Sequence, residues 1–505
     1  MAPRRWPLKA CKVKEHSVVA STKEQASPSS ARLVAPWIVL GSLGAIGMVI
    51  FGASIGAAIH PGVHRWWFNV VVTPRALAET GFYGSIAVLV AGWIGVGFHA
   101  RHGRLGLGLA WCSLLAWGLP LFLGQPLFSR DIYSYVAQGL IAHRGLNPYN
   151  VAPTVLDPST AFSSVATVWH KTTSPYGPGF LGISKLTIGI AGHGPVAQIM
   201  AFRALELLGV GLMMVAMPVL ARRNGNDPGL GLWLAALSPL ALFGFVASAH
   251  NDALMIGLMI AGLAVVSTGR LGWGMALMAL GSTVKLPALG AIVFVAVDRY
   301  SAAADTKERR RVILDAVGIP LVIIAGMTTV VGYGWGWLGP KALRIPTELR
   351  ILTTPLVAVA TFLDHLLHAI GIPVRLGGTE TVVLLVGEIA SVLVIILLLV
   401  RVPGGPMLRL LGLALLVVVL GSPTIWPWYW LWGVSVLAAS DAQRSKALAV
   451  LACVGMLVVG AGGTPLLGGW TFWVTGPLLL VGGLWVATGG RWRRLIAPSI
   501  GRALS

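Results

Sequence analysis

Charge is what this sequence has least of. Asp, Glu, Lys and Arg make up 11% of its 505 residues, where soluble domains carry roughly 25%. Too little polar surface is left to keep such a chain in water, so an ordinary soluble globular protein is excluded. Cysteine is nearly absent too. Cys11, Cys112 and Cys453 make no disulfide framework, and free thiols are expected. No internal repeat is visible, and no broken helices recur in two matching halves as in many transporters. The first apolar run follows a polar tail of 32 residues. It is too long for a signal-peptide core and no clean small-x-small site follows it, so it is expected to stay as an uncleaved anchor.

What is abundant is apolar sequence, 56% of the chain. Runs of about 20 residues, enough to cross a ~30 Å hydrocarbon core, recur throughout. Leu33 to Phe51, Ala197 to Leu220, Ile313 to Val331 and Val382 to Val400 are clear cases. Spans are predicted near 33–55, 79–98, 105–124, 197–220, 229–247, 252–268, 271–284, 287–297, 312–332, 381–400, 407–421, 426–440, 446–462 and 468–488. The fold class is therefore an all-α polytopic membrane protein with about 12–14 transmembrane helices. The net charge of +20 does not point to a nucleic-acid partner. Its basic residues form short clusters between apolar runs, which is the pattern of orientation signals. Arg4, Arg5, Lys9, Lys12, Lys14, Lys23 and Arg32 mark residues 1–32 as a basic cytoplasmic tail. Residues 489–505 read as a second such tail, and 33–488 as the bundle. Two long segments, 125–196 and 333–380, fall on the outer side.

The pair 271–284 and 287–297 is too short for two full crossings, because Arg270 and Arg299 both read as cytoplasmic. At 1.5 Å per residue such a hairpin thins the membrane or dips only part-way. Its apex is Val284-Lys285-Leu286-Pro287. A lysine at that depth is costly unless it faces a polar cavity or an anion.

The first outer segment carries the densest chemistry. Ser129 is a good N-cap and Gly145 a helix terminator. Between them Ile132, Val136 and Leu140 share one face, and Asp131, Tyr135 and Gln138 share another. This predicts an amphipathic helix lying in the interface with a polar face toward a cavity. A first-turn Asp131 is favoured as an ionised carboxylate by the helix N-terminus, and can take a proton from a sugar hydroxyl as that hydroxyl attacks. The plainer alternative is a first-turn acid paired with Arg130. Downstream, Asn147-Pro148-Tyr149-Asn150 and Thr172-Thr173-Ser174-Pro175-Tyr176-Gly177-Pro178-Gly179 read as stiff turns, with Trp169, His170 and Lys171 between them. His250-Asn251-Asp252 opens the sixth predicted span. Asp252 is there either solvated, capping a helix, or facing the same cavity as Asp131. Two potential ligands are not a metal site. The clusters Tyr333-Gly334-Trp335-Gly336-Trp337 and Trp426-Pro427-Trp428-Tyr429-Trp430 suit an interfacial belt or a stacking platform for sugar rings.

These motifs resemble a family. Ser129 to Gly139, with Gly145-Leu146-Asn147-Pro148-Tyr149, looks like the start of the first outer loop in actinobacterial polyprenol-phosphate-mannose-dependent α-1,6-mannosyltransferases. Ser174-Pro175-Tyr176-Gly177-Pro178 resembles that family's second block. His250 to Met255, Val284-Lys285 and Pro427-Trp428-Tyr429 follow in the expected order. The resemblance implies a GT-C glycosyltransferase fold with long extracytoplasmic loops, seated in the cytoplasmic membrane with its active site outside. It implies polyprenyl-phosphate mannose as donor and a phosphatidylinositol-mannoside or lipomannan chain as acceptor. It also implies inversion at the anomeric carbon, with Asp131 at the position of the catalytic acid. Some relatives carry two adjacent acids there, whereas this chain has Arg130 before Asp131. That favours a single base over a metal-binding pair, so no metal is expected.

On this reading Asp131 is the general base and a cation stabilises the leaving phosphate. Lys285 is the first candidate, then Arg130 and His250. Asp252 orients a donor hydroxyl or a cation, and Tyr135, Gln138, Tyr176, Trp428 and Tyr429 line the substrate site. The donor is already activated, so no redox or nucleotide cofactor is needed. A transferase using lipid-linked arabinose, glucose or galactose stays open. So does a lipid-linked-sugar transporter, although most acids sit at span boundaries or in loops, with Glu206 and Glu388 as exceptions.

Overall fold

The computed structural model describes residues 28–56, 72–339, 354–372 and 378–440, and among them every regular element is helical. The first helices are α1 (Pro28–Gly52), α2 (Arg75–Ala100), α3 (Leu107–Leu123), α4 (Asp131–His143), α5 (Thr160–Ser164) and α6 (Pro178–Ala191). Next come α7 (Pro195–Arg223), α8 (Pro228–Ala235), α9 (Pro239–Ala247), α10 (Asp252–Ser267), α11 (Leu271–Val284), α12 (Ala288–Ala302) and α13 (Thr306–Val331). The last are α14 (Pro355–Ala369), α15 (Gly378–Val400), α16 (Met407–Gly421) and α17 (Trp430–Ser440). The predicted spans 446–462 and 468–488, residues 1–27 of the predicted tail 1–32, the predicted tail 489–505, and Cys11 and Cys453 lie outside the described residues.

This is an all-α, multi-pass membrane protein. Among the described residues five helices are long and apolar enough to cross a bilayer, and the bent pair α8 and α9 is long and apolar enough only when taken together. The pair bends by 47° where Pro239 cannot donate a backbone bond and Ser238 Oγ instead receives the Ala241 N–H at 3.2 Å. Several predicted spans are shorter than a full crossing. Helices α11 and α12 hold 14 and 15 residues, as the spacing of their flanking arginines requires.

The chain forms two compact units. Among the described residues the first contains those from 28 to 339 together with 395–416 and 426–440, and so holds the motifs built around Asp131, Tyr176, Asp252, Lys285, Trp337 and Trp428. Within it α7 and α10 cross glycine on glycine. A Cβ on Gly209 would strike the Ala253 backbone, and one on Gly257 would strike Gly209. That close approach fixes where α10 begins. In the second unit α15 lies against α14, where a Cβ on Gly387 would meet Leu356.

Two features of the first long segment differ from expectation. Helix α4 does not lie on a surface. Ile132 to Gly139 are all buried, the polar positions included, because α6, α7 and the following loop cover it on all sides. Helix α6 was expected to be part of the loop. Pro178 sits in its first turn, the one helical position where a missing N–H is harmless.

Candidate active site

The site is assembled where α3, α9 and α10 end or begin. The Arg203 guanidinium of α7 donates to the carbonyls of Phe122, Gly124 and Ala247, so it ties the end of α3 to the end of α9. Ser248 Oγ adds a bond to Leu127 O at 2.8 Å. Two non-glycine residues adopt left-handed backbone here, Phe128 (φ 64) and Ala249 (φ 56). Such conformations persist only where the surroundings enforce them. Phe128 is held by stacking on Phe243 at 4.8 Å. Each strained residue lies just ahead of a polar site group, Asp131 and His250.

Asp131 begins α4. Arg130, not the expected Ser129, is the N-cap, and no side chain caps the helix there; the Asp131 N–H donates back to Ser129 Oγ at 3.1 Å in a turn just ahead of it. Gly145 ends it in left-handed backbone (φ 76). Trp169 Nε1 donates to Asp131 Oδ1 at 3.0 Å. On the other side His250 Nδ1 lies 3.4 Å from Oδ2. His250 is fully buried and stacks on Trp428 at 3.4 Å, with Trp426 parallel to Trp428 at 5.0 Å.

Asp252 opens α10. Its carboxylate accepts two bonds from Lys285 Nζ, at 3.0 and 2.8 Å, and one from Trp432 Nε1 at 2.6 Å. The Lys285 ammonium also sits 4.4 Å over the Tyr429 ring and 5.6 Å from Trp432. Burial alone would lower this ammonium, but Asp252 and Tyr429 hold it above the ordinary lysine range. Burial raises the Tyr135 and Tyr176 hydroxyls well above the ordinary phenol range, helped for both by the negative charges of Asp131 and Asp252. Both carboxylates thus act on the same two phenols.

Loop and hairpin are fitted to each other. Gly177 and Gly179 press against Thr283 with no room for a Cβ, and Gly177 N–H bonds Val284 O at 3.2 Å. This explains the glycines of the Ser174 to Gly179 motif and seats that loop on the Lys285 turn. Access to the cluster is through Asp131 and Lys285, whose side chains are 13% and 18% exposed.

The structure therefore brings together Asp131, Tyr135, Tyr176, His250, Asp252, Lys285, Trp428 and Tyr429. Two expected residues serve elsewhere. Arg130 turns away to the carbonyls of Ser163 and Ser164, and Gln138 accepts from Ser174 Oγ at 2.8 Å. Trp428 is buried beneath His250 and presents no open face to a sugar. Four further residues belong to the cluster, none of which the sequence assigned to the substrate site. Trp169 and Trp432 donate to the two carboxylates. Asn251 N–H and Oδ1 lie 3.4 and 3.5 Å from Tyr135 OH. Glu206 receives Leu254 N–H at 3.2 Å and so caps α10. In the sequence these tryptophans are indistinguishable from interfacial ones, and Glu206 showed only as an acid inside a span.

Fold and cluster together define a membrane-embedded helical protein with a carboxylate-bearing, aromatic-walled site beside a long loop. Comparison with known proteins specifies the class further. A family profile described as "Alpha-(1->6)-mannopyranosyltransferase, N-terminal domain" matches residues 38–300, and one described as "MptB C-terminal domain" matches 358–487. The chain is 32% identical to α-(1→6)-mannopyranosyltransferase A of Mycobacterium tuberculosis over 435 residues, covering 82% of this chain and 81% of that protein. A probable α-(1→6)-mannopyranosyltransferase of Mycolicibacterium smegmatis is 30% identical over 88% and 85% of the two chains. α-(1→6)-Mannopyranosyltransferase B of Corynebacterium glutamicum is 27% identical over 82% and 74%. No solved structure matches. The chain belongs to the α-(1→6)-mannopyranosyltransferase family, and is a membrane glycosyltransferase.

Proposed function

We propose that this chain is an inverting GT-C mannosyltransferase. It moves mannose from polyprenyl-phosphate mannose to a phosphatidylinositol-mannoside or lipomannan acceptor, in α-1,6 linkage, on the outer face of the cytoplasmic membrane. The observation that carries this reading is the pairing of two differently held carboxylates in one cluster. Among the described residues no hydrogen bond reaches Asp131 Oδ2, whose polar neighbour is His250 Nδ1 at 3.4 Å, whereas both oxygens of Asp252 are bonded by Lys285 and Trp432. Asp131 therefore suits the base and Asp252 the scaffold. An acceptor hydroxyl gives its proton to Asp131 as its oxygen bonds to the anomeric carbon. The bond from that carbon to the phosphate oxygen breaks, and the electron pair leaves with polyprenyl phosphate. Lys285, kept cationic by Asp252, is the cation for the departing phosphate. Arg130 is committed to the loop and drops out of that role.

Donor competition tests the substrate. Vesicles containing the full chain, supplied with labelled polyprenyl-phosphate mannose, should transfer mannose unaffected by an excess of the arabinose or glucose analogue. Equal competition by either would overturn the choice of sugar. For sidedness, Lys171→Cys in a cysteine-free background should react with an impermeant thiol reagent from outside. Protection there would reverse the topology.

A further inference from the structure

Asp131 is held asymmetrically. Trp169 Nε1 anchors Oδ1 at 3.0 Å. Oδ2 lies 3.4 Å from His250 Nδ1, but neither ring nitrogen of His250 makes a hydrogen bond among the described residues. One carboxylate oxygen is fixed by a hydrogen bond, and the other faces the His250 ring without one.

The loop that carries Trp169 is itself closed onto α4. Arg130 donates to the carbonyls of Ser163 and Ser164. His170 bonds Val165 O at 3.0 Å and packs at a tilt against Phe162 at 4.3 Å, and Thr154 N–H bonds His170 O at 3.1 Å. Trp169 then returns to Asp131, the neighbour of Arg130. The residue before the carboxylate and the residue bonded to it are thus two fastenings of one loop.

We propose that Trp169 is a positioning residue for the transfer reaction. Its indole N–H fixes the plane of the Asp131 carboxylate and leaves Oδ2 to take the proton of the attacking sugar hydroxyl. This rests on Asp131 being the base. A buried indole needs some acceptor in any case, but satisfying it by one oxygen of a carboxylate whose other oxygen faces the His250 ring does more than fill a bond. It sets the lone pair along which the substrate proton arrives. His250, Tyr135, Tyr176, Lys285 and Tyr429 also face Asp131, while Arg130 points away. Replacing the indole changes none of them directly.

The test is Trp169→Phe in the full chain, assayed in vesicles with labelled polyprenyl-phosphate mannose and a mannan acceptor. The expected result is a kcat lowered about tenfold or more, as for loss of a bond to a charged group, with KM for the donor within about twofold. The acidic limb of the kcat/KM profile should move to higher pH by about half a unit or more. His170→Ala loosens the same loop but keeps the indole, and should lower the rate without moving that limb. If Trp169→Phe does not accumulate, Trp169→Gln and Trp169→Met carry the comparison, since they have similar reach and only the first has a donor. Gln should then be faster, with its limb at lower pH. An unchanged limb in Trp169→Phe, or equal behaviour of Gln and Met, would overturn the proposal. Asp131→Asn separates the two failures. If it stays active, the base assignment has failed. If it is dead while Trp169→Phe is normal, only the positioning role has failed.

Discussion

Replacing Lys285 by Met should separate what the Lys285–Asp252 pair does for folding from what it does for transfer. The ammonium supplies two bonds, at 2.8 and 3.0 Å, to a carboxylate whose side chain is 1% exposed. Without it Asp252 keeps only the Trp432 N–H. Breaking a buried pair by removing one partner costs about 3–5 kcal/mol. The Lys285 side chain is 18% exposed and the Trp432 bond remains, so the lower end, about 3 kcal/mol, is expected. Lys285→Met/Asp252→Leu removes the stranded charge and should recover to within about 1 kcal/mol of the parent, since apolar replacement of a buried pair is often neutral. Unfolding of the detergent-solubilised chain, followed for both single variants and the double, gives the cycle. Transfer should be lost in all three. A double variant that is both stable and active would refute a functional role for the pair. A Lys285→Met chain as stable as wild type would refute the pairing itself.

Two further outcomes follow from the same geometry. Lys285 is held above its ordinary value, so its contribution is complete below about pH 10 and is lost only as pH rises through the raised value. The stability gap between wild type and Lys285→Met should therefore stay constant from pH 6 to 9. A gap that closes by pH 9 would contradict the raised value. Arg130→Met removes bonds to two loop carbonyls and should cost about 1–3 kcal/mol of stability, with transfer reduced but KM for the donor little changed. A steep rise in that KM would return Arg130 to the phosphate.

Much of the site was legible because its residues violate the membrane rule. Lys285 stood out as a charge at the apex of a hairpin too short to cross. Asp131 and Asp252 stood out as first-turn acids beside long apolar runs. The remainder depends on contacts across the chain that no local pattern encodes. Trp169 and Trp432 reach their carboxylates from 38 and 180 residues away. Arg130 looked like a phosphate ligand by adjacency, yet it faces carbonyls more than 30 residues on. The period of α4 revealed its two faces, but not that α6, formed from the same loop, would pack against its Tyr135 and Gly139 side. Its polar positions proved to be a buried network, with Tyr135 on Asn251 and Gln138 on Ser174.

The central claim is that Asp131 is the base for transfer from a lipid-phosphate sugar. It is tested most directly by comparing wild type and Asp131→Asn in vesicles given labelled polyprenyl-phosphate mannose and a mannan acceptor, at matched amounts of inserted protein. Asparagine keeps the Trp169 acceptor but cannot take the proton. General-base catalysis contributes roughly 10²–10⁴-fold, so turnover should fall by at least about a hundredfold with donor binding retained. Turnover within a few-fold of wild type would contradict the account.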